Sequence, residues 1–273
     1  MFFALLAMGF CFTLRSIRFF NLAYGGAFLV GGYAMFWLYR ELHFAFLPSL
    51  LLSALGSGAY LALAYQYIFK KFPYRKSKNL VPLIASFGVL TATSAVLGMI
   101  FGNQPTFIPR HLSDVGIVHI FGATLNTTEV SAIIVTAVII CSLAYIRSQT
   151  SFGRAMRAME DDTEVAELVG IPKNKMLLKI FFISGAIAGL GGIVEGLNVG
   201  IIPASGLIYI LPTIVAVVIG GMESFWGAIL GGFILAIAQK LTIVVFGGSW
   251  VQAVPFLILI IMLWAKPGGI LKR

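Results

Sequence analysis

The sequence predicts an all-α membrane protein, a polytopic transmembrane bundle of about eight or nine helical spans, some of them broken. Hydrophobic residues make up 59% of the 273 residues, and the mean hydropathy is +0.98. Soluble domains contain only about 45–50% apolar residues. Uncharged runs such as 130–146 and 208–219 approach the roughly 20 residues that cross a bilayer. Spans of this kind occupy most of the length, so we expect residues 1–273 to form a single transmembrane domain.

Nine candidate spans follow one another along the chain, separated by charged residues, prolines or glycines. We place them at residues 1–14, 20–39, 47–69, 80–101, 128–147, 177–197, 206–220, 225–246 and 251–265. The first would reach only about 21 Å as a helix, short of the roughly 30 Å hydrocarbon core. It lacks the basic region and cleavage motif of a signal peptide. We therefore expect a shortened first span or a start codon assigned too late.

Basic residues fall in alternate loops, and this asymmetry predicts the orientation in the membrane. All but three of the 19 lysines and arginines follow the first, third, fifth or last span, and the exceptions are Arg40, Arg110 and Lys240. Cytoplasmic loops carry such an excess. We therefore expect a cytoplasmic-membrane protein with its N-terminus outside and its C-terminus in the cytoplasm. The net charge of +9 then reflects topology and contact with membrane lipid, and no nucleic-acid partner is expected.

Residues 147–179 form the longest predicted cytoplasmic loop, and residues 151–172 are a charged island within it. The second half of the island is predicted to be a short helix, with Asp161 and Asp162 at its N-terminal end. Its apolar positions follow helical spacing and share one face. Gly170 is suited to end the helix. The apolar face, made of Val165, Leu168 and Val169, predicts a docking surface for a partner. A helix lying on lipid headgroups is the alternative, which its acidic residues oppose.

Breaks in the predicted spans indicate where a solute could bind, because irregular backbone at membrane depth lines cavities or is buried in protein. The breaks occur at residues 21–26, at 197–206 and at the Gly220–Gly221 pair. An intramembrane carboxylate such as Glu195 is costly and usually functional. The candidate substrate pathway therefore comprises Asn21, Tyr24, Ser86, Thr91, Glu195, Asn198, Gly220 and Gly221.

Each of these signals has a structural alternative that the sequence leaves open. Glycines spaced four residues apart, such as Gly185 and Gly189, also let membrane helices pack closely. Glu195 falls near the outer end of its span, where water could solvate it. Lys240 lies within the eighth span and either pairs with an acid or extends to the membrane interface.

Five segments, taken in chain order, resemble elements of the permease subunits of branched-chain amino-acid ABC transporters. The likeness is greater to the first of the two paired permeases than to the second. The segments are NLAYG with GGY, PLIASFG, FGRAMRA with a later GI, GGM with later GA and GG, and KPGGIL, at residues 21–33, 82–88, 152–171, 220–232 and 266–271. The departures are Tyr24 in place of a histidine, the basic Arg15 and Arg18, and Glu223 in a normally uncharged turn. They affect the expected substrate more than the fold.

The resemblance implies a permease subunit of an importer that carries branched-chain, hydrophobic amino acids. It also implies a second permease subunit, two cytoplasmic ABC ATPase subunits and an extracytoplasmic solute-binding protein as partners. The cytoplasmic loop would be the segment that couples to an ATPase. The residues that match the family's loop or lie on its docking face are Gly153, Arg154, Ala155, Arg157, Ala166, Leu168, Gly170 and Ile171.

Other function classes are limited by what the sequence lacks. It contains no GxxxxGK[ST] phosphate loop, so ATP hydrolysis is expected in a separate subunit. Its two cysteines and three histidines show no metal-ligand spacing, and no cofactor, metal or catalytic set is expected. Two alternatives stay open. One is the permease of a closely similar importer for urea or short-chain amides, and the other is an uncoupled channel that needs no ATPase.

Overall fold

The structure is a computed structural model that describes residues 2–72, 80–108, 117–120, 123–222, 224–266 and 268–271. These residues are mostly helical, and the prediction of an all-α polytopic bundle is confirmed. The α-helices are α1 Phe2–Ile17, α2 Ala23–Phe36, α3 Phe46–Tyr67, α4 Leu80–Phe101, α5 Thr127–Gln149, α6 Ser151–Asp161, α7 Thr163–Leu168, α8 Lys173–Asn198, α9 Ser205–Gly220, α10 Phe225–Phe246 and α11 Ala253–Ala265.

Short irregular elements complete these helices. A π-helical turn at Trp37–Glu41 extends α2, and 3-10 turns lie at Phe69–Lys71 and Gly248–Trp250. Strands β1 (Ile117–Ile120) and β2 (Ala123–Asn126) form an antiparallel hairpin before α5. This hairpin lies in the predicted outer loop, for which the sequence shows little periodicity.

Length and apolar composition decide which helices can cross a membrane alone. In the described part of the chain, four helical stretches qualify, namely Phe46–Lys71, Leu80–Phe101, Lys173–Asn198 and Phe225–Phe246. A fifth is added if α5 and α6, which are bent by 77°, count as one broken span. Helices α1, α9 and α11 are apolar but shorter, at 10–17 residues. The total of eight or nine spans therefore stays a prediction, although α4 and α10 match the predicted residues.

Helix α1 lies at the centre of the bundle rather than at its edge. It packs against α8, α9 and α10, and most of its side chains are buried. The buried hydroxyl of Ser184 on α8 donates a 2.7 Å hydrogen bond to the Gly9 carbonyl on α1. The segment predicted to be an incomplete first span is thus the helix around which the others pack.

Glycines allow α2, α3 and α8 to approach one another closely. A Cβ atom placed on Gly185 would lie 2.7 Å from the Ser57 carbonyl oxygen, and one on Gly31 would overlap the backbone of Gly189. These contacts leave no space for a larger side chain. At these positions the four-residue spacing of the glycines therefore serves close packing between helices.

Three breaks in the helices fall close to the predicted ones. The first differs in position. Residues 18–22 are irregular, Arg18 has a φ of 55°, and α2 begins at Ala23, so Tyr24 is helical. The second break, between α8 and α9, is held by paired hydrogen bonds of 2.9 Å between Thr106 and Ile201. The third is the turn after α9, where Gly221 has a φ of 106°.

Candidate functional site

The predicted cytoplasmic loop consists of two helices, α6 and α7, that turn sharply away from α5. The Thr150 hydroxyl caps α6 by accepting a 3.1 Å hydrogen bond from the Gly153 amide. A side chain at Gly153 would overlap the carbonyl oxygens of Arg147 and Ile146. The 77° bend between α5 and α6 therefore requires glycine at this position.

Helix α7 presents the predicted apolar face to solvent. Val165, Leu168 and Val169 are 56%, 86% and 71% exposed, whereas Ala166 on the opposite side is buried. The helix begins at Asp162, whose carboxylate accepts hydrogen bonds from the Glu164 and Val165 amides at 2.8 and 3.2 Å. The predicted N-terminal acid is thus a side-chain cap.

The end of α7 also follows the sequence pattern. Gly170 has a φ of 89°, as a residue just beyond a helix end often has, and the Ile171 amide bonds to the Ala166 carbonyl at 3.1 Å. Asp161 differs from the prediction, because it is the last residue of α6 rather than the start of α7.

The other predicted coupling residues lie on α6. Arg154 and Arg157 are on the side away from the core, and their guanidinium groups donate to the carbonyls of Gln149 and Ser148 at 3.3 and 3.4 Å. Ala155 is half-buried. The inner side of α6 is formed by Met156 and Met159, which belong to the hydrophobic core. The outer side of α6 and the α7 face together form the surface that we call the docking face, defined as Arg154, Arg157, Val165, Leu168 and Val169.

A buried charge cluster fixes α6 to the bundle. The Glu160 side chain is 2% exposed, and both of its carboxylate oxygens accept hydrogen bonds of 2.7 Å from Arg147. Arg15 at the end of α1 adds an ion pair at 2.8 Å. Arg18 donates to the backbone carbonyls of Glu160 and Asp161, both at 3.1 Å.

No local sequence pattern predicts this cluster. Its only signals were Arg15 and Arg18, two basic residues in a stretch that is apolar in the resembling family. The partner on α6 is far away in the sequence, so no local pattern joins them. Glu223, which departs from the family's uncharged turn, lies outside the described residues.

The predicted pathway residues near the first break are buried together. The Ser86 hydroxyl on α4 accepts a 3.0 Å hydrogen bond from the Leu22 amide. Ser86 therefore satisfies a backbone donor in the break between α1 and α2. The Asn21 carboxamide oxygen accepts from the Ala23 amide at 3.2 Å. Its buried Nδ2 atom has no hydrogen-bond partner among the described residues. Tyr24 donates to the Leu6 carbonyl at 3.0 Å.

Thr91 lies apart from this group, in a cavity of about 580 Å³ between α4 and the start of α9, which we call the α4 cavity. Its polar lining includes Thr91, Ser94 and Asn103, and Pro203 and Ala204 of the second break complete the wall. The Ser94 hydroxyl donates a 2.8 Å hydrogen bond to the Pro203 carbonyl. This bond joins α4 to the irregular segment before α9.

Glu195 and Asn198 lie in a second cavity, of about 730 Å³, bounded by α8, α9, α10, α11 and the start of α1, which we call the α8–α11 cavity. Lys240 of α10 lines the same cavity. The Glu195 carboxylate is buried and accepts a hydrogen bond from the Tyr209 hydroxyl. The structure therefore divides the predicted pathway between two cavities and one buried break.

Gly220 and Gly221 are positioned where chain segments cross closely. A Cβ atom at Gly220 would overlap the Gly227 carbonyl of α10. The C-terminal segment joins the same turn, because the Leu271 amide donates to the Gly220 carbonyl at 3.2 Å. Neither glycine lines the two cavities described above.

These features define a class of protein. The chain is a multi-pass helical membrane protein with cavities between its helices and an exposed docking face on an anchored helix pair, which is the architecture of a transport subunit. A family model for the permease component of branched-chain amino acid transport systems matches residues 1–263. The chain belongs to this family of ABC transporter permeases, and the family resemblance predicted from the sequence is confirmed.

Several relatives cover almost the whole chain. The high-affinity branched-chain amino acid transport system permease protein BraD of Pseudomonas aeruginosa is 28% identical, over 99% of this chain and 92% of its own length. The corresponding protein LivH of Escherichia coli K12 is 30% identical over 99% and 91%. A fructose import permease protein, FrcC of Rhizobium meliloti, is 29% identical over 55% of this chain.

A solved structure has the same overall fold. The structure described as PsaBC from Streptococcus pneumoniae in complex with Fab superposes with a TM-score of 0.52, and it covers 98% of this chain and 91% of that chain. Sequence identity is 14%, so this likeness concerns the fold alone.

Proposed function

We propose that this chain is the membrane-spanning permease subunit of an importer for branched-chain, hydrophobic amino acids, and that a separate ATPase subunit drives it. Two relatives that align over nearly their full lengths are permeases for branched-chain amino acids. This favours amino acids over urea or short amides as the solute. Import, rather than export, follows from the family resemblance. The orientation in the cytoplasmic membrane, with the N-terminus outside and the C-terminus inside, follows from the charge asymmetry of the loops.

The main structural support for an ATPase-driven permease is the docking face. Leu168 is 86% exposed at the tip of a helix that begins and ends with well-formed caps. An exposed apolar side chain on such a rigid element is suited to a shallow groove of a partner. The partner is one of two cytoplasmic ABC ATPases, which Gly153, Arg154, Ala155, Arg157, Ala166, Leu168, Gly170 and Ile171 contact or position. Residues 147–179 are thus the coupling segment.

A second permease subunit fits against α4. In the most apolar stretch of α4, only 17% of the residues are buried within the chain, compared with 61% in the corresponding stretch of α8. The α4 cavity with Thr91 opens on this side and forms the solute pathway between the two permeases. Asn21, Tyr24 and Ser86 shape the break beside it, and Gly220 and Gly221 form a turn that moves with α9. An extracytoplasmic solute-binding protein delivers the solute to the outer ends of these helices.

Coupling follows from the connections of the docking face. When ATP binding closes the two ATPases, α6 and α7 are displaced. The Glu160 cluster transfers that displacement to α5 through Arg147 and to α1 through Arg15. Because α1 packs against α8, α9 and α10, the movement reaches the helices around the α4 cavity. The pathway then opens alternately to the two sides of the membrane.

The test is uptake of radiolabelled leucine by vesicles that contain this chain with its candidate second permease, ATPases and binding protein. We expect ATP-dependent uptake that unlabelled valine or isoleucine reduces and urea does not. If urea reduces the uptake and valine and isoleucine do not, the chain is instead the permease of an importer for urea or short-chain amides. Uptake without ATP would identify an uncoupled channel and refute the coupling role.

A variant of the docking face tests directly whether the exposed Leu168 side chain binds the ATPase. Leu168→Asp places a charge in the proposed groove and is expected to abolish ATP-driven uptake while the chain stays inserted in the membrane. Leu168→Met keeps an apolar side chain of similar volume and is expected to retain uptake. Normal uptake in the aspartate variant would refute α7 as the docking element.

A further inference from the structure

The α8–α11 cavity contains one buried acid and one base that do not pair with each other. We propose that this cavity is a binding site for a primary ammonium group carried next to an anionic group, in which Glu195 receives the ammonium and Lys240 the anion. Free α-amino acids and the headgroup of ethanolamine phospholipids both have this chemistry. Where the occupant is an amino acid, the site rests on the proposed function. Where it is a lipid, the site is independent of transport.

The buried Glu195 carboxylate is the proposed partner of the ammonium group. It is 7% exposed, and its carboxylate faces the cavity with a hydrogen bond from the Tyr209 hydroxyl. Among the described residues, no lysine, arginine or histidine forms an ion pair with it. A buried carboxylate with a single neutral donor is poorly stabilised, and a cationic ligand would complete its coordination. The remaining acceptor positions of the carboxylate suit the three donors of an ammonium group.

Lys240 is the proposed partner of the anionic group. It is the one charged residue in α10, a helix of 22 residues. It lines the same cavity, and no ion pair joins it to an acid among the described residues. Glu195 is buried and Lys240 is exposed, and both border one cavity without forming an ion pair. A ligand that carries both charges therefore offers a counter-charge to each of them. Three amide side chains, those of Asn198, Gln239 and Gln252, add neutral polar groups to the lining.

The rest of the lining is apolar and suits the uncharged part of such a ligand. Val251 and Phe256 lie on the side of α11, and Leu207 and Ile208 lie at the start of α9. The same Leu207 and Ile208 also line the α4 cavity. One turn of α9 therefore separates the proposed amine site from the proposed solute pathway, so occupancy of one cavity can act on the other through this turn.

The first measurement is binding to the isolated chain in nanodiscs made of phosphatidylcholine, a lipid without a primary amine. The probes are leucine and N-acetyl-leucine, which lacks the ammonium group. If the occupant is an amino acid, leucine binds and N-acetyl-leucine does not. Glu195→Gln and Lys240→Gln are then expected to weaken leucine binding by at least about tenfold. Glu167→Gln on the exposed side of α7 and Lys179→Gln on α8 are the matched controls and are expected to bind normally.

The second arm distinguishes the lipid source. The chain is purified from membranes that contain ethanolamine, choline and glycerol phospholipids, and its bound lipids are identified by native mass spectrometry. Retention of ethanolamine lipid by the wild type, lost in Glu195→Gln and kept in Glu167→Gln, would identify the headgroup as the occupant. If neither leucine nor ethanolamine lipid binds in a Glu195-dependent manner, the proposal is overturned.

Tyr209→Phe separates a binding role from a purely structural one. It removes the hydroxyl that bonds to Glu195 but keeps the carboxylate, so ammonium binding should persist if the carboxylate is the ligand-binding group. Equal loss of binding in Tyr209→Phe and Glu195→Gln would show that the pair only stabilises the fold and would overturn the site. Binding requires no ATPase, so failed uptake with intact binding counts against the proposed function and leaves the site standing.

Discussion

The Arg147 guanidinium donates two hydrogen bonds of 2.7 Å, one to each carboxylate oxygen of Glu160, and so joins the end of α5 to the end of α6. The same guanidinium lies 5.2 Å from the centre of the Phe225 ring, at the start of α10. A bidentate pair of this kind fixes both distance and orientation. Helix α6, which carries the docking face, is therefore rigidly connected to α5 and to the turn before α10.

Glu160→Gln is expected to lower the stability of the bundle. The glutamine keeps the shape of the side chain but removes the charge that Arg15 and Arg147 share. Removing one partner of a buried ion pair typically costs about 3–5 kcal/mol, because the remaining charges are left uncompensated. The measurement is the melting temperature of the purified chain in detergent, followed by ATP-driven uptake in the complete transporter.

Glu167→Gln is the matched control for this change, since Glu167 is exposed on α7 and forms none of the ion pairs described above. It should melt like the wild type. If Glu160→Gln melts at the same temperature as Glu167→Gln, the cluster does not hold α6 in place.

Asp162→Ala is expected to loosen α7 without unfolding the bundle. The carboxylate of Asp162 accepts from the Glu164 and Val165 amides, and removing a helix cap of this type costs about 1 kcal/mol. A helix of only six residues is marginal by itself, so the loss of a cap has a large effect on it. Hydrogen exchange of the α7 amides should accelerate, and ATP-driven uptake should fall.

Asp162→Asn retains an oxygen acceptor and serves as the control, with exchange near the wild-type rate. Slow exchange of the α7 amides in Asp162→Ala would mean that tertiary contacts such as the buried Ala166, rather than the cap, hold the helix.

The local features of α7 could be predicted from sequence because they depend on neighbouring residues. Asp162 before the helix, Gly170 after it and the spacing of Val165, Leu168 and Val169 all lie within one short segment. The Glu160 cluster could not be predicted in this way. Its members come from α1, α5 and α6, and only the folded bundle brings them together.

The position of Tyr24 shows how membrane glycines mislead a sequence-based prediction. The sequence pattern predicts that Gly25 and Gly26 interrupt the span, but both are helical. A Cβ at Gly25 would lie 2.6 Å from the Gly206 carbonyl, and one at Gly26 would lie 2.5 Å from the Tyr60 hydroxyl. Gly25 is therefore required for close approach to the backbone at Gly206, Gly26 leaves room for the Tyr60 side chain, and the actual break lies before them.

Gly220→Ala is expected to destabilise the chain by forcing α9 and α10 apart. The added methyl group would overlap the Gly227 carbonyl oxygen, which belongs to the backbone and has little freedom to move. Overpacking of this kind costs about 1–3 kcal/mol. The measurement is again the melting temperature of the purified chain.

Gly56→Ala is the control, because Gly56 lies in α3 and no heavy atom would lie within 4 Å of its added Cβ. Its melting temperature should stay unchanged or rise slightly, since alanine favours helix. If both variants melt alike, close contact between α9 and α10 does not contribute to stability.

Thr91→Trp tests whether the α4 cavity is the solute pathway. Thr91 is exposed in that cavity, and its hydroxyl bonds only to carbonyls of its own helix, those of Phe87 and Gly88, at 3.1 and 3.0 Å. An indole ring would narrow this cavity of roughly 580 Å³ without disturbing a buried contact. We therefore expect leucine uptake to fall sharply while the melting temperature remains close to that of the wild type.

Thr91→Ser keeps the hydroxyl and the open space, so uptake should be retained. ATPase activity of the assembled transporter distinguishes a blocked pathway from a failure to assemble, because the docking face is unchanged and hydrolysis should persist in Thr91→Trp. Wild-type uptake in the tryptophan variant would exclude the α4 cavity from the pathway. The α8–α11 cavity, with Glu195 and Lys240, would then be the remaining described route for a zwitterionic solute.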